Sequence, residues 1–193
     1  MNGTSILFRR SDALSIVCAL HVPAYGTVIG SDRQVTADYL SSSKANGKWA
    51  IGPYWCAGAT GPLCALTLLE EHAQRLLAAA MTPFKFVSEY RQLLVDSGWE
   101  PDKTNGRPKM YNVSLVLTSP RALYSIGGDG SINQVDWVAC GSGGELATGA
   151  AHVLRHQNAS PEDIVYSAVD AAIQHSSSCG FGVWMRLLPD TSA

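Results

Sequence analysis

The sequence is poor in charge and lacks the usual signals for membrane or nucleic-acid binding. Charged residues make up 16% of the 193 residues and the formal net charge is −2, so no excess positive charge is available for nucleic acid or an anionic membrane. No apolar run reaches the roughly 18 residues that a membrane helix requires. In residues 1–10 the arginine pair follows the apolar residues, the wrong order for a secretory signal. We therefore expect a cytoplasmic protein with no membrane or nucleic-acid partner.

Motifs for disulfides, metals and phosphates are also missing. The five cysteines are an odd number and form no C-x-x-C pair, which favours reduced thiols. His152 and His156 stand four apart on a predicted helix, but no third ligand lies at a convincing distance. The Gly-rich stretch 127–130 lacks the Lys-Ser/Thr of a phosphate loop. We predict no cofactor and no metal.

Two apolar β-strands dominate what is present. Residues 15–36 contain β-branched clusters on either side of the Pro23–Gly26 breakers, which predicts a hairpin. The first strand is almost continuously apolar, so we expect it to be covered on both faces. Asp32 lies at the polar end of the second strand, where an acid is either a turn residue or part of a site.

The order of the remaining elements predicts the architecture. Residues 1–13 read as a leader or propeptide, and residues 14–193 as a single domain. Asp38–Gly47 is predicted as a loop because it is polar and rich in Ser and Gly. Ser160 caps a helix that starts at Pro161. The predicted elements after the first hairpin are strands at 48–52 and 54–58, helices at 62–77 and 83–95, strands at 113–118, 122–126 and 132–140, helices at 145–156 and 161–175, and a strand at 181–188. Two runs of strands separated by helix pairs predict an α+β fold, a four-layer α/β/β/α sandwich of two antiparallel sheets.

Three motifs in this order resemble the proteasome β-subunit family, and in particular its simpler bacterial ring peptidases. They are Gly30-Ser31-Asp32-Arg33-Gln34-Val35-Thr36, Ala57-Gly58-Ala59-Thr60-Gly61 and Gly141-Ser142-Gly143-Gly144. The resemblance spans about residues 14–188. It implies an N-terminal-nucleophile hydrolase, in which self-cleavage exposes a Thr, or rarely a Ser or Cys. The hydroxyl or thiol of that residue attacks a peptide carbonyl while its own α-amine takes the proton.

The resemblance also implies a role for each matching residue. Asp32 and Lys48 match the family's Asp and Lys, the Lys keeping the amine partly neutral by like-charge repulsion. Gly61 matches the glycine whose N–H helps to form the oxyanion hole. Ser142 matches the supporting Ser of the Gly-Ser-Gly turn, and Ser178 the second supporting Ser.

The sequence leaves the nucleophile open. Matching Ser15-Ile16-Val17 to the family's Thr-Ile-Val places Leu14 at the catalytic position, whereas one residue of slippage in the turn places Ser15 there. Thr4 follows a glycine, as at a processing junction, but it lies too far before Asp32 to share the hairpin in the usual register. A chain without an N-terminal nucleophile is the remaining alternative. His175 lies nearest the position where the family carries a second Asp.

Two functions follow from these alternatives. The first is a peptidase subunit that cuts unfolded peptides inside a self-compartmentalised homo-oligomeric ring. The second is a catalytically inactive subunit with an assembly role. An ATP-driven unfoldase partner is left open by the sequence.

Overall fold

The computed structural model describes residues 15–37, 40–98 and 113–191. Its strands are β1 Val17–Val22, β2 Gly26–Asp32, β3 Gln34–Ala37, β4 Leu40–Ser43, β5 Trp49–Ile51, β6 Cys56–Thr60, β7 Ser114–Ser119, β8 Ala122–Ile126, β9 Ile132–Gln134, β10 Trp137–Cys140 and β11 Val183–Pro189. Its helices are α1 Leu63–Glu71, α2 Ala73–Leu76, α3 Pro83–Asp96, α4 Gly144–His156 and α5 Pro161–His175. Within these residues, no helix is long and apolar enough to cross a membrane.

Most of the strands form two antiparallel sheets. The first sheet has the order β10–β1–β2–β11, and the second has the order β5–β6–β7–β8–β9. β3 and β4 pair only with each other in a short hairpin. The first sheet therefore places β1 and β2 at its centre, where both strands are hydrogen-bonded on both edges.

β1 has buried side chains on both faces, as its continuous apolar sequence predicts. Cys18 and Leu20 belong to the cluster that packs under α4 and α5. Val17 and Ala19 belong to the cluster between the two sheets, with Trp49 of β5. Because successive side chains of a strand point to opposite faces, only a strand between two layers can bury all of them.

The outer layers are helical on both sides, so the four-layer sandwich is confirmed. α4 and α5 cover the first sheet, whereas α1, α2 and α3 cover the second. α5 begins as predicted: Ser160 Oγ accepts a hydrogen bond from the Asp163 N–H at 3.1 Å, and Pro161 is the first helical residue. A side-chain cap of this kind satisfies one of the free N–H groups at the start of a helix.

Three predicted boundaries are wrong. The predicted loop 38–47 contains β4, because pairing with β3 satisfies its backbone despite a serine-rich sequence. The predicted strand 132–140 is two strands in different sheets: Gln134 pairs with Tyr124 in the second sheet, and Trp137 pairs with Leu20 in the first. The predicted helix 62–77 is interrupted at His72. The predicted leader 1–13, Leu14 and the predicted loop 99–109 lie outside the described residues.

Candidate active site

Asp32, the last residue of β2, is the centre of a buried polar cluster. Its side chain is fully buried. Oδ1 accepts hydrogen bonds from the Ile16 N–H at 3.1 Å and from Lys48 Nζ at 2.5 Å. Oδ2 accepts from the Gln34 N–H at 3.2 Å and from the Gly180 N–H at 3.1 Å. One carboxylate therefore joins four segments of the chain, and four donors compensate for the loss of its water.

Lys48 lies just before β5 and points into the same cluster. Its backbone N–H donates to Ser31 Oγ at 3.0 Å, and its side chain is 6% exposed. Burial lowers the pKa of Lys48, and the negative charge of Asp32 opposes that shift without cancelling it. Gly47 precedes it with φ of +60°, and a Cβ there would lie 2.3 Å from Ser31 Oγ. The tight turn that directs Lys48 inward therefore depends on glycine.

The Gly-rich turn between β10 and α4 encloses the backbone of Ser15. Ser142 Oγ accepts from the Ser15 N–H at 3.1 Å and donates to the Ser15 carbonyl oxygen at 3.3 Å. The Gly143 N–H donates to the same carbonyl oxygen at 3.2 Å. Gly141 has φ of +99°, and a Cβ there would lie 2.2 Å from that oxygen. No other residue would allow this close approach.

The Ser15 hydroxyl itself has no hydrogen-bond partner among the described residues. The residue is only 2% exposed, and its neighbour Ile16 is bonded to Asp32. Thr60 Oγ1 is likewise buried and without a partner in the described part of the chain. Thr60 borders the same turn, since a Cβ on Gly141 would lie 3.1 Å from Thr60 Cγ2. Buried hydroxyls without partners are rare in proteins, and a catalytic role or a bound water is the usual kind of explanation.

The structure thus brings Ser15, Asp32, Lys48 and Ser142 together. The other predicted residues, Gly61, Ser178 and His175, are positioned differently. Gly61 follows Thr60 at the end of β6 with φ of +130°, so its backbone borders the site. Its part in an oxyanion hole stays a prediction. In the loop after α5, Ser178 donates its backbone N–H to Ser176 Oγ at 3.4 Å. His175, the last residue of α5, is exposed.

Cys179 is the site residue that sequence reasoning missed. It is 6% exposed, and its thiol lies against the turn that carries Ser142, since a Cβ on Gly143 would lie 3.0 Å from Cys179 Sγ. Burial and, secondly, the charge of Asp32 raise the pKa of this thiol. The signal that could have found it is its place immediately before Gly180, which leads into β11 beside Asp32.

A cavity of about 420 Å³ lies beside β5. It is lined by residues 44–46, by β5 and by Glu70 and Ala73 of the helical layer. Trp49 follows Lys48 directly and lines this cavity. The described residues contain no group of three or more metal-ligating side chains, and the exposed His152 and His156 rings lie 4.5 Å apart on α4.

Comparisons with known proteins find relatives by sequence. No family model matches the chain. It is 25% identical over 173 residues to proteasome subunit beta 1 of Pyrobaculum aerophilum, and 27% identical over 173 residues to proteasome subunit beta 1 of Pyrobaculum calidifontis. Each alignment covers 82% of this chain and 82% of the relative.

Solved structures show the same fold. The Thiobacillus denitrificans protein BPH, in complex with epoxomicin, superposes with a TM-score of 0.71 at 16% identity, covering 91% of this chain and 100% of that one. Eukaryotic HslV from Trypanosoma brucei superposes with a TM-score of 0.64 at 21% identity, covering 91% and 99%. The chain is thus similar in sequence to proteasome β subunits, and it has the same fold as BPH and HslV.

Proposed function

We propose that this chain is a peptidase subunit whose nucleophile is the hydroxyl of Ser15, exposed by cleavage of the Leu14–Ser15 bond. The observation that carries the proposal is the position of Ser15. Its buried hydroxyl has no partner in the described part of the chain, its backbone is enclosed by the Ser142 turn, and Ile16 is bonded to Asp32.

The hairpin register supports Ser15 over the alternatives. Val22 pairs with Gly26, so three residues form the turn, and Ile16 is the residue whose N–H reaches Asp32. Ser15 is then the residue that immediately precedes this contact. Leu14 cannot take this role, because leucine carries no nucleophile.

Processing is an acyl shift in the proposed mechanism. Ser15 Oγ adds to the Leu14 carbonyl carbon, and the C–N bond between Leu14 and Ser15 breaks. The Ser15 nitrogen takes up the proton that Oγ gives up. Water then hydrolyses the resulting ester, which leaves a Leu14 carboxylate and a Ser15 with a free α-amine. The same hydroxyl is thereby restored for the next reaction.

Peptide hydrolysis repeats this chemistry on a substrate. The neutral α-amine takes the proton of Oγ as Oγ attacks the substrate carbonyl, then gives a proton to the leaving amine, and water hydrolyses the acyl ester. An α-amine has a pKa of about 8, and the positive charge of Lys48 favours its neutral form. Ser142 orients the amine, and the Gly61 N–H stabilises the oxyanion. The cavity beside Trp49 receives a substrate side chain.

The subunit works in a homo-oligomeric ring in the cytoplasm and acts on unfolded peptides, in keeping with its proteasome-like relatives. Analytical ultracentrifugation at micromolar concentration should show species well above the 20.6 kDa monomer. A monomer alone would exclude the ring.

Intact mass and N-terminal sequencing, combined with hydrolysis of a fluorogenic peptide, test the proposal. The wild-type chain should begin at Ser15 and hydrolyse the peptide, whereas Ser15→Ala and Lys48→Ala should keep their leader and stay inactive. Lys85→Ala is the control, because it removes a lysine from an ion pair on the exposed face of α3, outside the cavity, and should be processed normally. A mature chain beginning at Thr4 would overturn the assignment of Ser15.

A second function has its own support. The loop after α5 places Cys179 against the Ser142 turn and contains no carboxylate, which suits an assembling subunit without catalysis. A wild-type chain that keeps its leader, hydrolyses no peptide and still forms rings would favour this alternative.

A further inference from the structure

The cavity beside β5 is lined by buried apolar residues and by one ion pair. Trp49, Ala50 and Ala73 line it, and all three are buried. Of the described residues that line the cavity, Lys44 and Glu70 are the charged ones, and Lys44 Nζ lies 2.5 Å from Glu70 Oε2. One positive and one negative group therefore border the same space and neutralise each other.

Both charges are held by ordered segments of the chain. The Lys44 N–H donates to the Arg33 carbonyl oxygen at 2.9 Å, and the Gly47 N–H donates to the Lys44 carbonyl oxygen at 3.2 Å. Glu70 lies in α1, next to Leu69, which is fully buried. A charged side chain that entered the cavity could pair with one member of the ion pair only by displacing the other.

The segment that carries Lys44 continues into the proposed active site. Lys48 follows the Gly47 turn and donates to Asp32, and the next residue, Trp49, lines the cavity. The cavity and the proposed active site therefore share one continuous segment of the chain.

The size of the cavity does not select among side chains. Its volume of about 420 Å³ lies within the range of small-molecule pockets, which is about 300–1,000 Å³. A pocket of that size holds a ligand larger than any amino-acid side chain, so charge is the property on which it can discriminate.

The processing site of the chain agrees with a preference for uncharged side chains. In the proposed function, the first bond to be cut has Leu14 on its acyl side. The side chain of Leu14 is apolar and uncharged, which is the kind that a cavity with paired charges favours.

We propose that the Lys44–Glu70 pair determines specificity by charge: the cavity accepts an uncharged, mainly apolar substrate side chain and rejects both basic and acidic ones. This inference rests on the proposed function, in which the cavity receives a substrate side chain, here the one on the acyl side of the cut bond. A basic side chain would meet the ammonium group of Lys44, and an acidic one would meet the carboxylate of Glu70. Repulsion of the wrong ligand by a like charge is a common source of specificity.

Peptide hydrolysis by the processed protein tests the charge rule. Three substrates, acetyl-Ala-Ala-X-aminomethylcoumarin with X as Leu, Arg or Glu, differ only in the tested side chain. In the wild type, kcat/KM should be at least about tenfold higher for Leu than for Arg or Glu, the effect of one interaction with a charged group.

Two single variants should change the preference in opposite directions. Lys44→Met leaves Glu70 unpaired and should raise the ratio of kcat/KM for Arg to that for Leu about tenfold. Glu70→Gln leaves Lys44 unpaired and should raise the ratio for Glu to that for Leu by about the same factor. A loss of cavity shape would instead lower all three values together. Lys85→Met breaks an exposed ion pair on α3 and is the control, with wild-type ratios expected.

A binding measurement without turnover keeps the inference separate from the proposed function. Isothermal titration of uncleaved Ser15→Ala chains with the same three sequences as peptide amides should show the tightest Kd for Leu. Lys44→Met and Glu70→Gln in that background should shift the Kd ratios in the same opposite directions as the kcat/KM ratios.

The two ideas can fail independently. A wild type that keeps its leader and hydrolyses no peptide overturns the proposed function, and the Kd values then decide the charge rule. Kd values that do not depend on the charge of the peptide overturn the inference. A wild type that prefers Arg or Glu also overturns it, as do unchanged ratios in both single variants.

Discussion

Two lysines on one short segment form carboxylate ion pairs of equal length in very different surroundings. Lys44 Nζ lies 2.5 Å from Glu70 Oε2, and the two side chains are 23% and 30% exposed. Lys48 Nζ lies 2.5 Å from Asp32 Oδ1, and these side chains are 6% and 0% exposed. Asp32 also accepts three backbone N–H groups, two of them from distant segments.

The difference shows that the distance between the charges does not by itself determine how much an ion pair contributes to stability. Water and salt screen the Lys44–Glu70 pair, so it contributes about 0–1 kcal/mol. The Lys48–Asp32 pair has lost its water, and removing one partner would leave an uncompensated buried charge. Burial makes the charge of Lys48 energetically costly and lowers its pKa. The same burial strengthens the electrostatic effect of that charge at Ser15. We therefore expect Lys48–Asp32 to be retained for chemistry rather than for stability.

Replacing each lysine by alanine should separate the two pairs most strongly. Lys48→Ala should abolish leader removal, lower peptide hydrolysis by about 10³-fold and reduce the free energy of unfolding by about 3–5 kcal/mol. Lys44→Ala should lower that free energy by about 1 kcal/mol or less. Activity is measured with a fluorogenic peptide, and stability by urea unfolding.

Stability is compared in the Ser15→Ala background, so that every variant has the same length. Equal unfolding free energies for the two lysine variants would contradict the ranking by burial. Normal processing of Lys48→Ala would rule out the proposed mechanism.

A substitution in the turn between the two lysines should have the next largest effect on stability and processing. Gly47 has φ of +60° and lies against Ser31, so Gly47→Ala combines backbone strain with a steric clash. It should cost about 1–3 kcal/mol and slow processing by displacing Lys48. Gly98→Ala is the matched control: Gly98 has φ of +86°, but no described residue lies within 4 Å of an added Cβ. If both variants lose the same stability by urea unfolding, the contact with Ser31 contributes nothing.

The pH dependence of stability should carry the signature of buried Lys48. Because its folded-state pKa lies below the unfolded value of about 10.4, the unfolded chain binds more protons between the two values. Stability therefore rises with pH in that window, by at most about 1.4 kcal/mol per unit of pKa lowering.

Lys48→Met should remove this rise when the free energy of unfolding is followed from pH 8 to pH 10. Lys44→Met removes the same charge from the exposed pair and reports the general effect of charge loss. A wild-type slope retained in Lys48→Met would show that another group titrates there.

The fold could be predicted wherever local patterns agree with the tertiary packing. The apolar run of β1 required two covered faces, and the Ser160–Pro161 cap placed the start of α5. The strand predicted at 132–140 failed because the chain changes sheets without leaving an extended conformation. Sequence periodicity indicates that a segment is an extended strand, but it does not indicate which strand it pairs with.

The site could be predicted only in part, for a related reason. Asp32 and Lys48 occupy strand termini, whose positions follow from the fold, and the structure joins them. Cys179 was missed because its direction depends on an irregular loop, in which Phe181 and Gly182 have positive φ. No periodic pattern encodes which side chain such a loop turns inward.

The same comparison can be made for buried groups without charge, such as the hydroxyl of Thr60. Replacing this residue should have the smallest effect on stability. Its hydroxyl is buried without a partner in the described part of the chain, whereas Thr27 Oγ1 donates to the Ser119 carbonyl oxygen at 2.9 Å. Thr60→Val replaces an unsatisfied hydroxyl by a methyl group of similar size, and should raise the free energy of unfolding by about 1 kcal/mol. Thr27→Val breaks a hydrogen bond and should lower it by about 1–2 kcal/mol. Urea unfolding of both variants gives the comparison, and a destabilised Thr60→Val would mean that the hydroxyl holds a water molecule in solution.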